Sequence, residues 1–502
     1  MIVLSVLVIS LVVFLILYTL KYTIWAIRAA NMTYNIPGPK PWPIIGNGLL
    51  LAKMKSPKEA LEVVYRMCNE YCLPRERIFK FWFGPVLGIV VTNPKYIEAI
   101  LTSPDAADKH YVYKVVELVG NGLFTRNGKE WEELRKPLDK LLTKKMVESN
   151  LGMFHKKSIK SCNVLKKYAD TGECFNIRHY ITNFTLDTVC VSIFGYDLNE
   201  IENDNHNIME TMESIVEATV KFVSNILTLL YFPFGEKFSK GSRCMRNLAK
   251  SFWKLSSEIL QGRLQARTKL GESIDDKPIF YSDVLLQKAK KYNLSWEEAG
   301  KLTTDMLVAG IDTSAVTISC ILLLLAMNPE HQDAVYREQL EIFGDDLEVS
   351  PTWQQLSKMA YLTRVIKEVM RLFGPIGIFR KISNDLDLGG DYKLPQGCAA
   401  FILLYYLHRD PTLWSHPNEF YPDHFLPEEC AKRPKNTYFP FSWGPRSCPG
   451  SVYAMASHKI FISTAIRRYK FETDLKFDKL EYKYSLLLEV SQGYMVKIKP
   501  RN

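Results

Sequence analysis

The stretch Phe441-Ser442-Trp443-Gly444-Pro445-Arg446-Ser447-Cys448-Pro449-Gly450 constrains this chain more than any other, because it sets one thiol into a loop of fixed neighbours. The pattern is F-x-x-G-x-R-x-C-x-G. Gly444 permits a tight turn that a Cβ would obstruct. Arg446 can offer a forked pair of hydrogen bonds to a carboxylate. Gly450 lets a helix start close to whatever lies over Cys448, and the periodic run Ser451 to Arg468 supplies that helix. Backbone N–H groups around Cys448 and the positive end of the helix would stabilise a thiolate. A buried free thiol is the ordinary fate of an intracellular cysteine, but it would need none of these neighbours. Cys448 is therefore read as a metal ligand.

Three further stretches lie far from this loop. Ala309-Gly310-Ile311-Asp312-Thr313-Ser314 sits in a long helical pattern. Ser295 and Glu298 open it as an S-x-x-E capping box, and Pro329 closes it. Leu307 to Met327 is apolar enough to pass for a membrane span, but Asp312 near its start and its polar flanks make it a buried core helix. Taken alone, Asp312-Thr313 would mean only that the hydroxyl bonds back to the preceding turn. Glu368-Val369-Met370-Arg371 puts opposite charges at i, i+3 on the helical stretch Tyr361 to Phe373. Trp131-Glu132-Glu133-Leu134-Arg135 places an indole and a guanidinium on one helix face.

In order and rough spacing, these four motifs resemble those of the cytochromes P450, haem-thiolate monooxygenases, and the resemblance runs from the N-terminus to about residue 500. It implies a mainly α fold with a small β region. Cys448 would be the iron ligand, and a thiolate there favours O–O cleavage. Phe441, Gly444, Arg446 and Gly450 would shape the loop under the haem, and Ala309 with Gly310 would open space for O₂. Asp312 and Thr313 would relay protons. Trp131, Arg135 and Arg380 would reach the haem propionates. Glu368 and Arg371 would form a buried structural pair, locked by a third residue from Pro417 to Phe425. There the family usually has Arg near the position of His424. Histidine is shorter and mostly neutral at pH 7, so it lacks the permanent fork, and its role is left open. The implied cofactor is haem b, with electrons from NADPH through a flavoprotein reductase and cytochrome b5 as an optional second donor. The runs Tyr405 to Pro411 and Phe420 to Pro427 look most like the insect and fatty-acid-hydroxylating branch. Many of that branch carry a Glu, able to form an ester with the haem, where this chain has Ala309, so non-covalent haem is expected.

Residues 1–20 carry no charge and as a helix would span about 30 Å, one bilayer core. They lack the basic start of a secretory signal peptide. Lys21 and Arg28 follow the apolar run, which puts the N-terminus in the lumen and the remainder in the cytosol. Residues 21–46 are read as a basic and proline-rich linker, because Pro37-Gly38-Pro39-Lys40-Pro41-Trp42-Pro43 cannot continue a helix. Residues 47–502 are read as one catalytic domain without internal repeats. The compartment expected is the endoplasmic reticulum membrane.

Within that domain, Ile78 to Gly84 and Leu87 to Thr92 read as strands. Val147 to Lys167 and Asn207 to Val223 read as helices, and Ala399 to Tyr406 and Tyr482 to Lys499 as further strands or core elements. Cys68 and Cys72 lack a second pair at zinc spacing and read as helix-face residues. The net charge of +10 comes from 64 basic and 54 acidic side chains, too modest an excess for a nucleic-acid binder without a recognition motif. Basic runs at Arg135, Lys136, Lys140, Lys144 and Lys145, and at Lys432, Arg433 and Lys435, suit a solvated face or an acidic reductase. A lipophilic substrate is expected near Asn121 to Asn127, Phe222 to Phe234, Leu307 to Thr313, Pro375 to Phe379 and Leu486. Two rival functions share this frame: a haem-thiolate isomerase or dehydratase without O₂ activation, and a non-enzymatic haem- or lipid-binding membrane protein.

Overall fold

Ser295 opens the helix around which the others pack. Its Oγ accepts the Glu298 N–H at 3.3 Å, and Glu298 Oε2 accepts the Ser295 N–H at 2.8 Å, so the capping box is complete. The helix runs Trp296–Met327, and Pro329 then starts a new one. This is a computed structural model, which describes residues 2–42, 45–48, 50, 57–72, 76–224 and 240–501. Every residue from Ala315 to Ala326 is buried. The helix is thus a core element, held by Lys240–Lys269, Ile177–Val189, Ala360–Phe373 and Ser451–Arg468. The fold is mostly helical, as expected.

Strands Ile78–Phe83 and Val86–Val91 form an antiparallel hairpin. Ala399–Ile402 joins it in parallel, and Ile378–Lys381 closes the sheet antiparallel with Arg380 opposite Ala400. The expected strand Ala399 to Tyr406 ends early, because Leu404–Leu407 turns helical. Tyr482 to Lys499 divides into Tyr482–Tyr484 and Leu488–Val490, which pair as a hairpin, and Met495–Pro500, which lies between Phe175–Asn176 and Tyr469–Glu472. The helix expected over Val147 to Lys167 breaks at Asn150 into Lys144–Ser149 and Leu151–Thr171. Cys68 and Cys72 are buried on Pro57–Tyr71.

The N-terminal helix differs from expectation in length. It continues past Leu20 to Met32, so the first part of the expected linker 21–46 is helical. The charges at Lys21 and Arg28 do not end a helix; the first residue forbidden to it is Pro37. Trp25 also holds its end in place: its indole N–H donates to Gln396 O at 2.7 Å and its ring meets Trp82 edge-on. Arg28 pairs with Asp385. Val12–Met32 is long and apolar enough to cross a membrane and is only 6% buried in the protein, against 78% for Trp296–Met327.

Candidate active site

The loop before Ser451–Arg468 is folded by its own backbone. Cys448 N–H donates to Phe441 O at 2.8 Å and Ser447 N–H to Gly444 O at 3.0 Å. Gly444 adopts φ +75°, and a Cβ there would lie 2.1 Å from Leu101 O, so only glycine fits. Gly450 closes the loop as the N-cap of the helix. The Cys448 side chain is exposed to an internal cavity rather than to bulk water. Burial pushes its thiol pKa up, while the Gly450 N–H, Arg135 and Lys109 pull the other way. A bound cation is what would turn such a thiol into a thiolate outright.

The cavity measures about 660 Å³, and its floor includes Phe441, Cys448 and Gly450. Ala309, Gly310, Asp312 and Thr313 line it from the helix Trp296–Met327. Thr313 Oγ1 donates to Ala309 O at 2.7 Å, the local back-bond open to any mid-helix Thr. Trp131, Arg135, Arg380 and Arg446 all reach the cavity, so the structure brings together the residues expected at propionates. Arg446 donates to Ala107 O, Arg126 O and Asn127 Oδ1 at 2.9, 2.9 and 2.8 Å, with its guanidinium 3.9 Å from the Trp131 ring centre. Burial and the neighbouring Arg380 push its pKa down to about 10, which leaves it a cation at neutral pH. Arg135 Nη1 donates to Ser447 O at 2.7 Å, tying its helix to the cysteine loop. Arg380 is 3% exposed, and burial lowers its pKa too.

Sequence reasoning missed Lys109. Its ammonium lies in the same cavity, donates to Phe124 O at 2.6 Å and sits 3.3 Å from the Phe124 ring centre. Burial first, then Arg380 and Arg446, hold its pKa well below the ordinary range. No motif surrounds it in the sequence; its place is set by Lys381 N–H donating to Asp108 O at 2.9 Å. Also missed was Asp305, whose Oδ2 accepts N–H bonds from Gly122 and Phe124 at 2.9 Å and fastens that segment to the central helix. Burial raises its carboxyl pKa to about 6.

A soft sulfur on the floor and clustered cations among the walls are the donor set that a planar metal macrocycle bearing carboxylates requires. The residues fit that group. Most of the remaining wall is apolar: Val112, Val116 and Leu123, Ile215 and Val216, Ile376 and Phe379, Leu486 and Leu487. Segments expected around Asn121 to Asn127, Leu307 to Thr313, Pro375 to Phe379 and Leu486 all contribute. Of Phe222 to Phe234, residues 225–234 lie outside the described residues.

Behind the site, Arg371 donates to Glu368 in a bidentate pair at 2.8 and 2.7 Å, and both side chains are fully buried. Arg371 also donates to the carbonyls of His408, His416, Pro417 and Glu419. His424 takes the third place: its Nδ1 lies 3.2 Å from both Glu368 oxygens, and its Nε2 accepts the His416 N–H at 3.3 Å. That arrangement assigns the Nδ1–H tautomer. Histidine thus replaces the usual arginine with one neutral donor. Burial works to raise the Glu368 carboxyl, and Arg371 and His424 overcome it and hold it below the usual range. Arg433 corrects its sequence reading as part of a solvated basic run. It turns inward, donates to His424 O at 2.7 Å and covers Trp414 at 4.2 Å.

Asp312 is placed otherwise than a free proton carrier. Its Oδ1 accepts from Arg178 Nη2 at 2.8 Å, and its Oδ2 accepts from Ser485 Oγ at 3.3 Å.

The family model described as Cytochrome P450 matches residues 36–498. Cytochrome P450 4c3 of Drosophila melanogaster is 30% identical over 98% of this chain and 94% of its own. Cytochrome P450 4V2 of Homo sapiens is 30% identical over 92% and 89%, and the probable cytochrome P450 313a1 of Drosophila melanogaster 28% identical over 96% of each. A thiol-floored, cation-lined cavity under a core helix and a family match across nearly the whole chain agree: the chain belongs to the cytochrome P450 family of haem-thiolate monooxygenases.

Proposed function

We propose that this protein is a membrane-anchored monooxygenase that oxidises a lipophilic substrate, and that Cys448 would hold the haem iron. The observation that carries this reading is the one cavity lining that joins the Cys448 thiol, the basic side chains Lys109, Arg135, Arg380 and Arg446, and the Ala309–Thr313 turn. When bound, the haem supplies the redox chemistry, insertion of one atom of O₂ into the substrate with release of the other as water.

The protein's own residues hold and orient. Arg135 from one helix, Arg380 from a strand and Arg446 from the cysteine loop would neutralise the carboxylates of the cofactor, with the Trp131 indole N–H and the Lys109 amine as further donors. Ala309 leaves the haem non-covalently bound, since a methyl group forms no ester. Gly310 lets the central helix lie close against Ile177–Val189: a Cβ there would meet Val189 at 3.2 Å. Thr313 and Asp312 face the cavity, where the Thr313 hydroxyl and the Arg178-held Asp312 carboxylate would pass protons inward. The apolar wall selects by burial rather than by polar contact, which suits a fatty acid, terpenoid, sterol or xenobiotic.

Electrons would arrive from NADPH through a flavoprotein reductase, with cytochrome b5 as an optional donor. Lys136, Lys140, Lys144, Lys145, Lys432 and Lys435 are exposed, and facing charges of opposite sign raise encounter rate more than affinity. The helix Ile2–Met32 would anchor the chain in the endoplasmic reticulum bilayer with the catalytic domain in the cytosol. The test is turnover of the full chain in lipid with a competent reductase, NADPH and isotopically labelled O₂. One labelled atom in the product is expected. Product without label would favour an isomerase or dehydratase, and no turnover across lipophilic substrates would favour a binding protein.

A further inference from the structure

The environment of Asp312 contains more acid than base. Arg178, at the start of Ile177–Val189, is 2% exposed and faces two buried carboxylates at once. Its Nη2 donates to Asp312 Oδ1 at 2.8 Å and to Glu489 Oε1 at 3.3 Å, and its Nη1 donates to Glu489 Oε2 at 2.5 Å. Asp312 and Glu489 are 2% and 1% exposed. Two buried carboxylates therefore share one guanidinium, which cannot give up its own proton. Fully ionised, this buried trio is one positive charge short, a costly state in a low-dielectric interior.

A path leads outward from Glu489. Lys483 lies opposite it on the paired strand, with Nζ 3.7 Å from Glu489 Oε2 and 2.9 Å from Glu213 Oε1. Lys483 and Glu213 are about one-third exposed, at 34% and 37%. The other titratable neighbours, Tyr494 and Cys320, are buried and kept neutral by that burial. Burial also raises the Glu489 carboxyl, with Asp312 adding to the effect and Arg178 and Lys483 opposing it.

We propose that Glu489 is a proton-holding residue that recharges Asp312, with Arg178 as the clamp that keeps the two carboxyl groups adjacent. The proton leaves the Glu489 carboxyl and joins the Asp312 carboxylate. Oxygens held by the same Arg178 nitrogen are close enough for one water to bridge them. Glu489, now an anion, is held by Arg178 and Lys483 until solvent returns a proton along the Glu213 side. Asp312 in turn faces the cavity beside Thr313. This inference rests on the relay reading of Asp312 given above.

The test uses the full-length haem-loaded chain in lipid. Infrared difference spectra between acid and neutral pH, taken in an Asp305→Asn background so that the buried carboxyl group there, raised to about 6, is silent, should show the carbonyl band of a buried protonated carboxyl group, and Glu489→Gln should remove it. Lys483→Met, at a position about one-third exposed, should raise the midpoint of that band by about half a pH unit, as loss of an opposing cation requires. A band that persists in E489Q, or a midpoint that K483M leaves in place, overturns the assignment; K483M alone decides it should E489Q fail to fold. With reductase and NADPH and no added substrate, peroxide released per NADPH should rise about twofold in both D312N and E489Q. A rise in D312N alone overturns the role of Glu489 and leaves the Asp312 relay standing. No rise in either removes the relay reading and this inference together.

Discussion

Glu368→Gln keeps the side chain's shape and removes only its charge. Arg371 would then be fully buried with no counter-ion, having lost a bidentate pair of 2.8 and 2.7 Å. Breaking one side of a buried ion pair costs about 3–5 kcal/mol. Four backbone carbonyls still hold the Arg371 guanidinium, so the low end applies, about 3 kcal/mol, or roughly 150-fold in the folded-to-unfolded ratio. The pH dependence has a definite sign. The folded Glu368 carboxyl is held below its ordinary range, so its contribution is full above the unfolded value near 4.3 and fades as pH falls through the folded value. Urea unfolding of the full chain in detergent, followed by tryptophan fluorescence, should show E368Q well below wild type at pH 7. The gap should hold down to about pH 4 and narrow only below it. A variant within about 0.5 kcal/mol of wild type at pH 7 would refute the reasoning.

Gly444→Ala should cost at least about 1–2 kcal/mol for the positive φ alone, and the clash with Leu101 O should reduce haem incorporation sharply; spectroscopic haem content per protein checks it. Asp305 has its carboxyl pKa raised to about 6 by burial. Its effect on stability is therefore favourable below the unfolded value and is lost as pH rises through about 6, by up to about 3 kcal/mol. Asp305→Asn should flatten that fall between pH 4 and 6 in the same urea assay, and an unchanged slope would contradict the burial argument. Acid-acetone extraction should free the haem completely, since Ala309 offers no ester; haem that stays with the protein would contradict that.

Local signals were legible and distant ones were not. The capping box at Ser295 and the helix Ser451–Arg468 stand as expected, because neighbours in sequence decide them. The cysteine loop and the Glu368–Arg371 pair carry their geometry within ten and four residues. Arg178 meets Asp312 across 134 positions and Glu489 across 311, and no pattern near any of them announces the contact. Lys109 looks like any surface lysine until Phe124 and Arg380 enclose it. His424 was visible as a departure, but its answer needed the His416 N–H and the inward turn of Arg433. The N-terminal helix outran its expected end because Trp25 and Arg28 find partners far along the chain, Gln396 and Asp385.

The account's central claim is that Cys448 holds the haem iron. The carbon monoxide difference spectrum of the dithionite-reduced, membrane-bound protein tests it most directly. The account predicts a Soret band at the red-shifted thiolate position, lost in Cys448→Ser. A band at the ordinary imidazole-haem position, or a red-shifted band that survives in C448S, would contradict it.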